Sequence, residues 1–213
     1  TAVTSFEVHE LHDHLRVVST STVDVNRSTD TDRSASWETL RSPQLLSDFA
    51  EFLECRPLVA PHPDLAASIT EASARAATPE ALVASARELI AERISYVPGV
   101  TSVSTTAQEV WSKGAGVCQD LSHLTIGALR VAGVPARYVS GYLMADNGHE
   151  LDEPTTGQSH AWIEYWAGSW VPLDPTNSGM VGNDHVVVGR GRDYSDVPPM
   201  RGIFTVALYC EWL

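Results

Sequence analysis

The chain has 213 residues, of which 43% are hydrophobic and 19% are charged, an ordinary composition for a globular protein with a substantial core. Its formal net charge of −13 argues against a nucleic-acid partner, because binding to a phosphate backbone needs a basic face. No apolar run is long enough for a membrane-spanning helix. We therefore predict neither a nucleic-acid partner nor a membrane partner.

The N-terminal residues indicate strands joined by a polar turn. Residues 15–25 alternate in polarity as a strand does. The histidines of residues 9–14 do not have the His-Glu-x-x-His spacing of a zinc-binding helix, so a polar turn is favoured over a metal site there. We predict no metal and no cofactor.

Three cysteines, Cys55, Cys118 and Cys210, give an odd count. An odd count favours an intracellular protein with a reactive free thiol over a secreted protein held together by disulfides, and so predicts a cytoplasmic location. Cys55 and Cys210 are expected to be structural, and a disulfide between them stays open.

Two helices are predicted before Cys118. Residues 79–93 carry apolar side chains at helical spacing, and Thr78-Pro79-Glu80 is a good start signal. A short second helix is predicted to begin at Thr106, which has a suitable capping side chain.

Cys118 lies between a glycine-rich turn, Gly114-Ala-Gly116, and an apolar helical pattern that ends at Gly133 and Pro135. The cysteine is therefore predicted to open a buried helix. A helix N-terminus presents unpaired N–H groups and positive dipole charge, which favour thiolate over thiol and can also hold an oxyanion. The alternative is a small packed side chain, because free cysteine is often buried.

His160 and Asp174 are predicted to share one face of a hairpin. Residues 159–165 alternate as a strand, and a three-residue loop at 166–168 places Tyr165 opposite Ser169 and His160 opposite Asp174. In this arrangement the carboxylate reaches the imidazole. Pro172 removes a hydrogen-bond donor, which indicates an edge strand or a bulge. The alternative is that residues 174–177 form a turn, for which their residue types are well suited, and that Asp174 has no catalytic role.

Five ordered motifs now carry a resemblance. The segments at 116–120, 133–142, 159–162, 174–177 and 191–197 (GVCQD, GVPARYVSGY, SHAW, DPTN and GRDYSDV) resemble the bacterial transglutaminase-like superfamily, which includes proteases, amidases and amide-forming crosslinkers. The resemblance implies an α+β protein with a papain-like core, in which a helix bearing the nucleophilic cysteine packs on an antiparallel sheet bearing histidine and aspartate. The matching positions are Cys118, His160 and Asp174.

The predicted function is acyl transfer on peptide or protein amides through a thioester at Cys118. Hydrolysis is favoured, as in a cysteine protease or amidase, and the alternative is transglutaminase-type transfer to an amine. A catalytically silent binding or scaffold protein is the competing class. The intact set of cysteine, histidine and aspartate argues against it.

Further positions are weaker candidates. The Cys118 backbone N–H is expected to hold the oxyanion with help from one of Gln108, Trp111 and Gln119, among which the sequence does not choose. The predicted cleft rim consists of Trp162, Asp193 and Tyr194.

Members of the superfamily commonly begin with a further β-rich region, whereas this sequence opens at Thr1. Residues 1–60 are therefore expected to be a truncated remnant of that region plus a linker, and residues 61–213 to be the transglutaminase-like catalytic core.

Overall fold

The computed structural model describes residues 4–10, 12–18, 20–27, 33–144, 157–177 and 180–203. The α-helices are α1 (Trp37–Leu40), α2 (Pro43–Asp48), α3 (Pro63–Arg75), α4 (Pro79–Arg93), α5 (Ala107–Lys113) and α6 (Cys118–Val131). The strands are β1 (Ser95–Tyr96), β2 (Ala115–Gly116), β3 (Ala136–Leu143), β4 (Gln158–Trp166), β5 (Trp170–Leu173) and β6 (His185–Gly191). Two short 3-10 helices are also described, Ala50–Phe52 after α2 and Tyr194–Asp196 after β6.

The helix α6 lies at the centre of the protein. All of its residues from Asp120 to Arg130 are buried, and its apolar side chains share one core with residues of α3, α4, β3, β4 and β5. The sequence prediction of a buried helix opened by Cys118 is confirmed. Among the described residues, no helix is both long enough and apolar enough to cross a membrane.

The main sheet has four antiparallel strands in the order β5-β4-β3-β6. β5 is an edge strand, which explains how Pro172 is tolerated in it. The helix α4 has the predicted bounds, and Thr106 caps α5 in a capping box with Glu109.

The predicted hairpin register was wrong by two positions. Trp166 pairs with Trp170, and Tyr165 pairs with Val171 instead of Ser169. The two tryptophan rings meet edge to face at 5.7 Å, and the Phe49 ring packs against both, so the aromatic cluster selects this pairing. Because the shift is an even number of residues, Asp174 stays on the same face of the sheet as His160.

The described part of residues 1–60 contains helices where a β-rich remnant was expected. Residues 37–48 form α1 and α2, and the described residues between 4 and 27 form no strand. Ala35 N–H donates to Ala167 O at 2.9 Å, and Leu40, Leu45 and Val59 belong to the core that surrounds α6. The domain boundary near residue 60 remains a prediction.

Candidate active site

One buried carboxylate fixes the start of α6. Asp120 Oδ2 accepts hydrogen bonds from Val117 N–H at 2.8 Å and from the Thr101 hydroxyl at 2.6 Å. Burial raises the pKa of Asp120, against these two hydrogen bonds, which favour its charged form. The backbone immediately before Cys118 and the loop at Thr101 are therefore held by a single side-chain oxygen.

Cys118 is the first residue of α6 and is half-buried, so its thiol lies at the helix N-terminus while remaining open to reactants. The first N–H groups of a helix have no partner within the helix, which leaves the Cys118 N–H available to a substrate oxygen.

His160 lies between Cys118 and Asp174. Burial lowers the pKa of His160, but hydrogen bonds to Asp174 and Cys118 outweigh this effect and raise it to about 9. His160 Nε2 lies 2.8 Å from Asp174 Oδ2. Nδ1 is then the ring nitrogen left to face Cys118, and at neutral pH the ring carries a proton on both nitrogens.

Asp174 is fully buried and accepts five hydrogen bonds. Oδ1 accepts from the backbone N–H groups of Thr176 at 2.8 Å and Asn177 at 3.2 Å. Oδ2 accepts from His160, from Asn177 Nδ2 at 3.1 Å and from His185 Nε2 at 3.2 Å. Burial alone would raise the pKa of Asp174, but these donors hold it well below its usual range. The Asp174 carboxylate thus stabilises the turn at residues 174–177 through Oδ1 and contacts His160 through Oδ2.

His185 is the residue of this cluster that the sequence reasoning missed. It opens β6 and is 2% exposed. Its position beside Asp174 depends on the pairing of β3 with both β4 and β6, where Gly141 faces His160 and Leu143 faces His185. No local sequence pattern predicts the contact between His185 and Asp174. The histidine that begins the apolar run 186–188 is its only signal in the sequence.

Tyr96 is a second residue that was missed. It lies on β1 and is 53% exposed. Burial of its hydroxyl raises the pKa of Tyr96, and the nearby charges of Cys118 and Asp174 act in the same direction. A phenol that remains protonated is a hydrogen-bond donor, and Tyr96 pairs with Gly116, two residues before Cys118.

The three side chains predicted to help the oxyanion have other contacts. Gln119 Nε2 donates to Val103 O at 3.1 Å, and Gln108 Nε2 donates to Pro61 O at 3.5 Å. Trp111 packs under the Arg93 guanidinium, with 5.7 Å from Cζ to the ring centroid. Their roles remain predictions.

Two of the three predicted rim residues are buried, which corrects that prediction. Trp162 is 0% exposed and packs against the rings of both His160 and His185, because both faces of β4 are covered from Ala161 to Tyr165. Asp193 is 1% exposed, forms an ion pair with Arg56 and accepts from Ser195. Tyr194 is half-buried against Tyr138.

His160, Asp174 and His185 have the ligand types of a metal site, and their donor atoms lie within 4.8 Å of one another. Hydrogen bonds from both histidines to Asp174 Oδ2 account for the grouping without an ion. We therefore treat the three residues as a proton-holding cluster.

Cys210 lies outside the described residues. Cys55 is an exposed free thiol.

Comparison with known proteins gives the family. Residues 63–175, which contain Cys118, His160 and Asp174, match the transglutaminase-like superfamily. A protein of Mycobacterium leprae that is uncharacterized is 34% identical over 96% of this chain and 73% of its own length. The chain belongs to the transglutaminase-like superfamily.

Two further relatives bear on fold and chemistry. A candidate cysteine protease from Cytophaga hutchinsonii has the same fold, with a TM-score of 0.62 at 24% identity over 78% of this chain and 53% of the other. A protein-glutamine gamma-glutamyltransferase of Pseudomonas aeruginosa is 32% identical over 47% of this chain and 16% of its own length. The predicted α+β, papain-like fold class is confirmed.

Proposed function

We propose that this protein is a thiol acyl-transfer enzyme that hydrolyses amide bonds of peptides or proteins. The observation that supports the proposal is the position of His160, which hydrogen-bonds the buried carboxylate of Asp174 and has its pKa raised by Cys118, a half-buried cysteine at a helix N-terminus. A cysteine that is only packed needs no such partners.

The reaction follows from this arrangement in two steps. The Cys118 thiolate attacks the amide carbonyl carbon, and the oxygen becomes an anion that the Cys118 N–H can bind. The C–N bond then breaks, the His160 proton moves to the leaving amine, and a thioester remains on Cys118. Water attacks this thioester, gives a proton to His160, and releases the acid with the thiolate restored.

Asp174 keeps His160 in position throughout the cycle. With its pKa held low, Asp174 stays charged and can only accept, so His160 Nε2 must donate. Nδ1 is then the atom that gives and takes the moving proton. Tyr96 is a further candidate donor to the oxyanion, because it pairs with Gly116, two residues before Cys118.

Packing of the tryptophans supports hydrolysis over transfer to an amine. A crosslinking enzyme needs an apolar channel that admits an amine and keeps water from the thioester. Trp162 is buried, while Trp166 and Trp170 pack against Phe49. Contacts with the two histidines and with Phe49 thus account for the three side chains without such a channel.

Transfer to an amine is the second candidate. The observation that favours it is the similarity to the Pseudomonas gamma-glutamyltransferase, which extends over about half of this chain.

A partitioning experiment separates the two reactions. An activated ester such as N-acetylglycine p-nitrophenyl ester would acylate Cys118, and n-butylamine at increasing millimolar concentrations would compete with water. The acid and amide products are quantified and compared with those from a small thioester in the same buffer. Cys118→Ser is the matched control for acylation.

We expect the enzyme to yield more acid than the free thioester does. A product ratio shifted toward amide would overturn the hydrolase proposal in favour of transfer. If intact mass shows no acyl-enzyme that depends on Cys118, acyl transfer itself is wrong.

A further inference from the structure

A second histidine contacts the same carboxylate oxygen as His160. Asp174 Oδ2 lies 2.8 Å from His160 Nε2 and 3.2 Å from His185 Nε2. The rings of the two histidines are 6.0 Å apart, and the side chain of His185 is 2% exposed. Water therefore has little access to the shared oxygen, and the two N–H groups compete for its charge.

The contacts of His185 define which nitrogen carries a proton toward Asp174. Because the Asp174 carboxylate can only accept, His185 Nε2 must donate. On the far side of the ring, Nδ1 lies 3.3 Å from Gly182 N and 2.7 Å from Asp184 Oδ1. Both of these contacts are made by Nδ1, so they leave the Nε2–H donor toward Asp174 in place.

We propose that His185 is a positioning residue that limits how strongly Asp174 holds the proton of His160. The proposal rests on the proposed function, in which that proton must leave for the amine. A carboxylate that gives part of its charge to a second donor stabilises the His160 imidazolium less.

Orientation of Asp174 does not depend on His185. The backbone N–H groups of Thr176 and Asn177 hold Oδ1, and Asn177 Nδ2 holds Oδ2. Removing the His185 donor is therefore expected to leave the carboxylate in place while concentrating its charge on His160. His160 should then bind its proton more tightly and release it more slowly.

Among the described residues, the charged and titratable groups that face the His160 and His185 rings are few. His160 faces Cys118, Asp174 and His185. His185 faces Asp174, Asp184 and His160, and its backbone oxygen accepts from Arg27 Nη2 at 2.7 Å. Substitution of His185 alone leaves every other charged group in this set unchanged.

The test measures the titration midpoint of His160 by NMR of the protein with ring-¹⁵N-labelled histidine. This measurement needs no substrate. His185→Phe keeps a planar ring and removes both nitrogens, whereas His185→Gln keeps an N–H donor. We expect His185→Phe to raise the proton affinity of His160 roughly threefold to tenfold, where one pKa unit is a factor of ten. His185→Gln should stay within about twofold of the wild type.

An unchanged or lower midpoint in His185→Phe would overturn the proposal, as would an equal rise in His185→Gln. Circular dichroism checks the fold. If His185→Phe does not fold, His185→Asn replaces it with the same expected rise, because its side chain is too short to reach Asp174.

Cys118→Ala separates this proposal from the proposed function. Removing the thiol should lower the His160 midpoint if the two groups form a pair. If Cys118→Ala leaves that midpoint unchanged, the Cys118–His160 pair is wrong, while the effect of His185 on His160 can still be measured.

Discussion

The indole ring of Trp162 lies directly over Gly141, on the neighbouring strand. A Cβ atom added at Gly141 would lie 2.6 Å from Trp162 Cη2 and 2.1 Å from Val186 O. The absence of a side chain at Gly141 therefore makes room for a buried tryptophan that contacts both His160 and His185. The same glycine lies at the register shift between β3 and β6.

Gly141→Ala should destabilise the protein and disturb the site together. Neither a backbone carbonyl nor a buried indole can move cheaply, so we expect a loss of about 1–3 kcal/mol in the free energy of unfolding. Urea unfolding gives this value, and iodoacetamide labelling of Cys118 reports the site. Gly202→Ala is the matched control, because a Cβ there meets no atom within 4 Å. Equal stability of the two variants would contradict the packing argument.

Gly116→Ala should act on the start of α6. A Cβ atom at this position would lie 2.8 Å from Asp120 Cβ and 2.9 Å from Asp120 Oδ2. We expect Asp120 to be displaced from Val117 N–H, with slower alkylation of Cys118 because the helix start is no longer held in place. The alkylation rate is measured against that of Gly202→Ala. An unchanged rate would mean that Asp120 does not position the thiol.

Asp174→Ala should lower turnover strongly without abolishing it. Loss of the acceptor leaves His160 Nε2–H unpaired, so we expect a decrease on the order of 100-fold or more in kcat on a working substrate. Some activity should remain, because Cys118 and the helix N–H groups are unchanged. Cys118→Ala should remove covalent chemistry altogether. Wild-type turnover in Asp174→Ala would show that the carboxylate does not orient His160.

Tyr96→Phe tests the hydroxyl near Cys118. The ring is half exposed, so its loss of one oxygen should change stability by less than about 0.5 kcal/mol. If the hydroxyl donates to the oxyanion, kcat should decrease by about 100-fold to 1000-fold, the range for one such donor. A decrease in kcat with unchanged unfolding supports the role. Full activity would show that Tyr96 does not bind the oxyanion, and the Cys118 N–H and one of Gln108, Trp111 and Gln119 would remain as candidate donors.

Local patterns predicted much of the fold around the thiol. The apolar spacing after Cys118 and the glycine and proline that follow it gave a helix that the structure confirms. The alternation from 159 to 165 predicted β4, although the register of the hairpin depends on the aromatic packing with Phe49, which lies more than a hundred residues away in sequence. The even shift preserved the shared face of His160 and Asp174 because side chains repeat every two residues.

Contacts between distant segments could not be predicted in the same way. Trp162 and His160 share a face of β4, and alternation alone does not tell which face is covered. His185 reaches Asp174 only through the order of four strands. Tyr96 approaches Cys118 because β1 pairs with β2, two residues before the helix. Each of these depends on tertiary pairing that a single sequence does not encode locally.

The pair of His160 and Asp174 should make stability depend on pH. His160 has a pKa of about 9 in the folded protein, against 6.5 as its ordinary value. The folded state therefore binds more proton than the unfolded state between these values, and stability falls as pH rises. The contribution of His160 is fully present below about pH 6.5 and is lost as pH passes through about 9. Asp174, with its lowered pKa, acts oppositely, so its contribution is lost as pH falls below 3.8, its ordinary value.

Urea unfolding of the wild type and Asp174→Asn across this alkaline window measures the effect. Asparagine keeps the volume of the side chain but not the charge that raises the pKa of His160. The variant should therefore lose less stability than the wild type does as pH rises from about 6.5 to above about 9. Comparing the two proteins cancels the titration of groups remote from the site. Parallel decreases would show that the pair does not hold the His160 proton, which would remove the physical basis of the proposed acid and base.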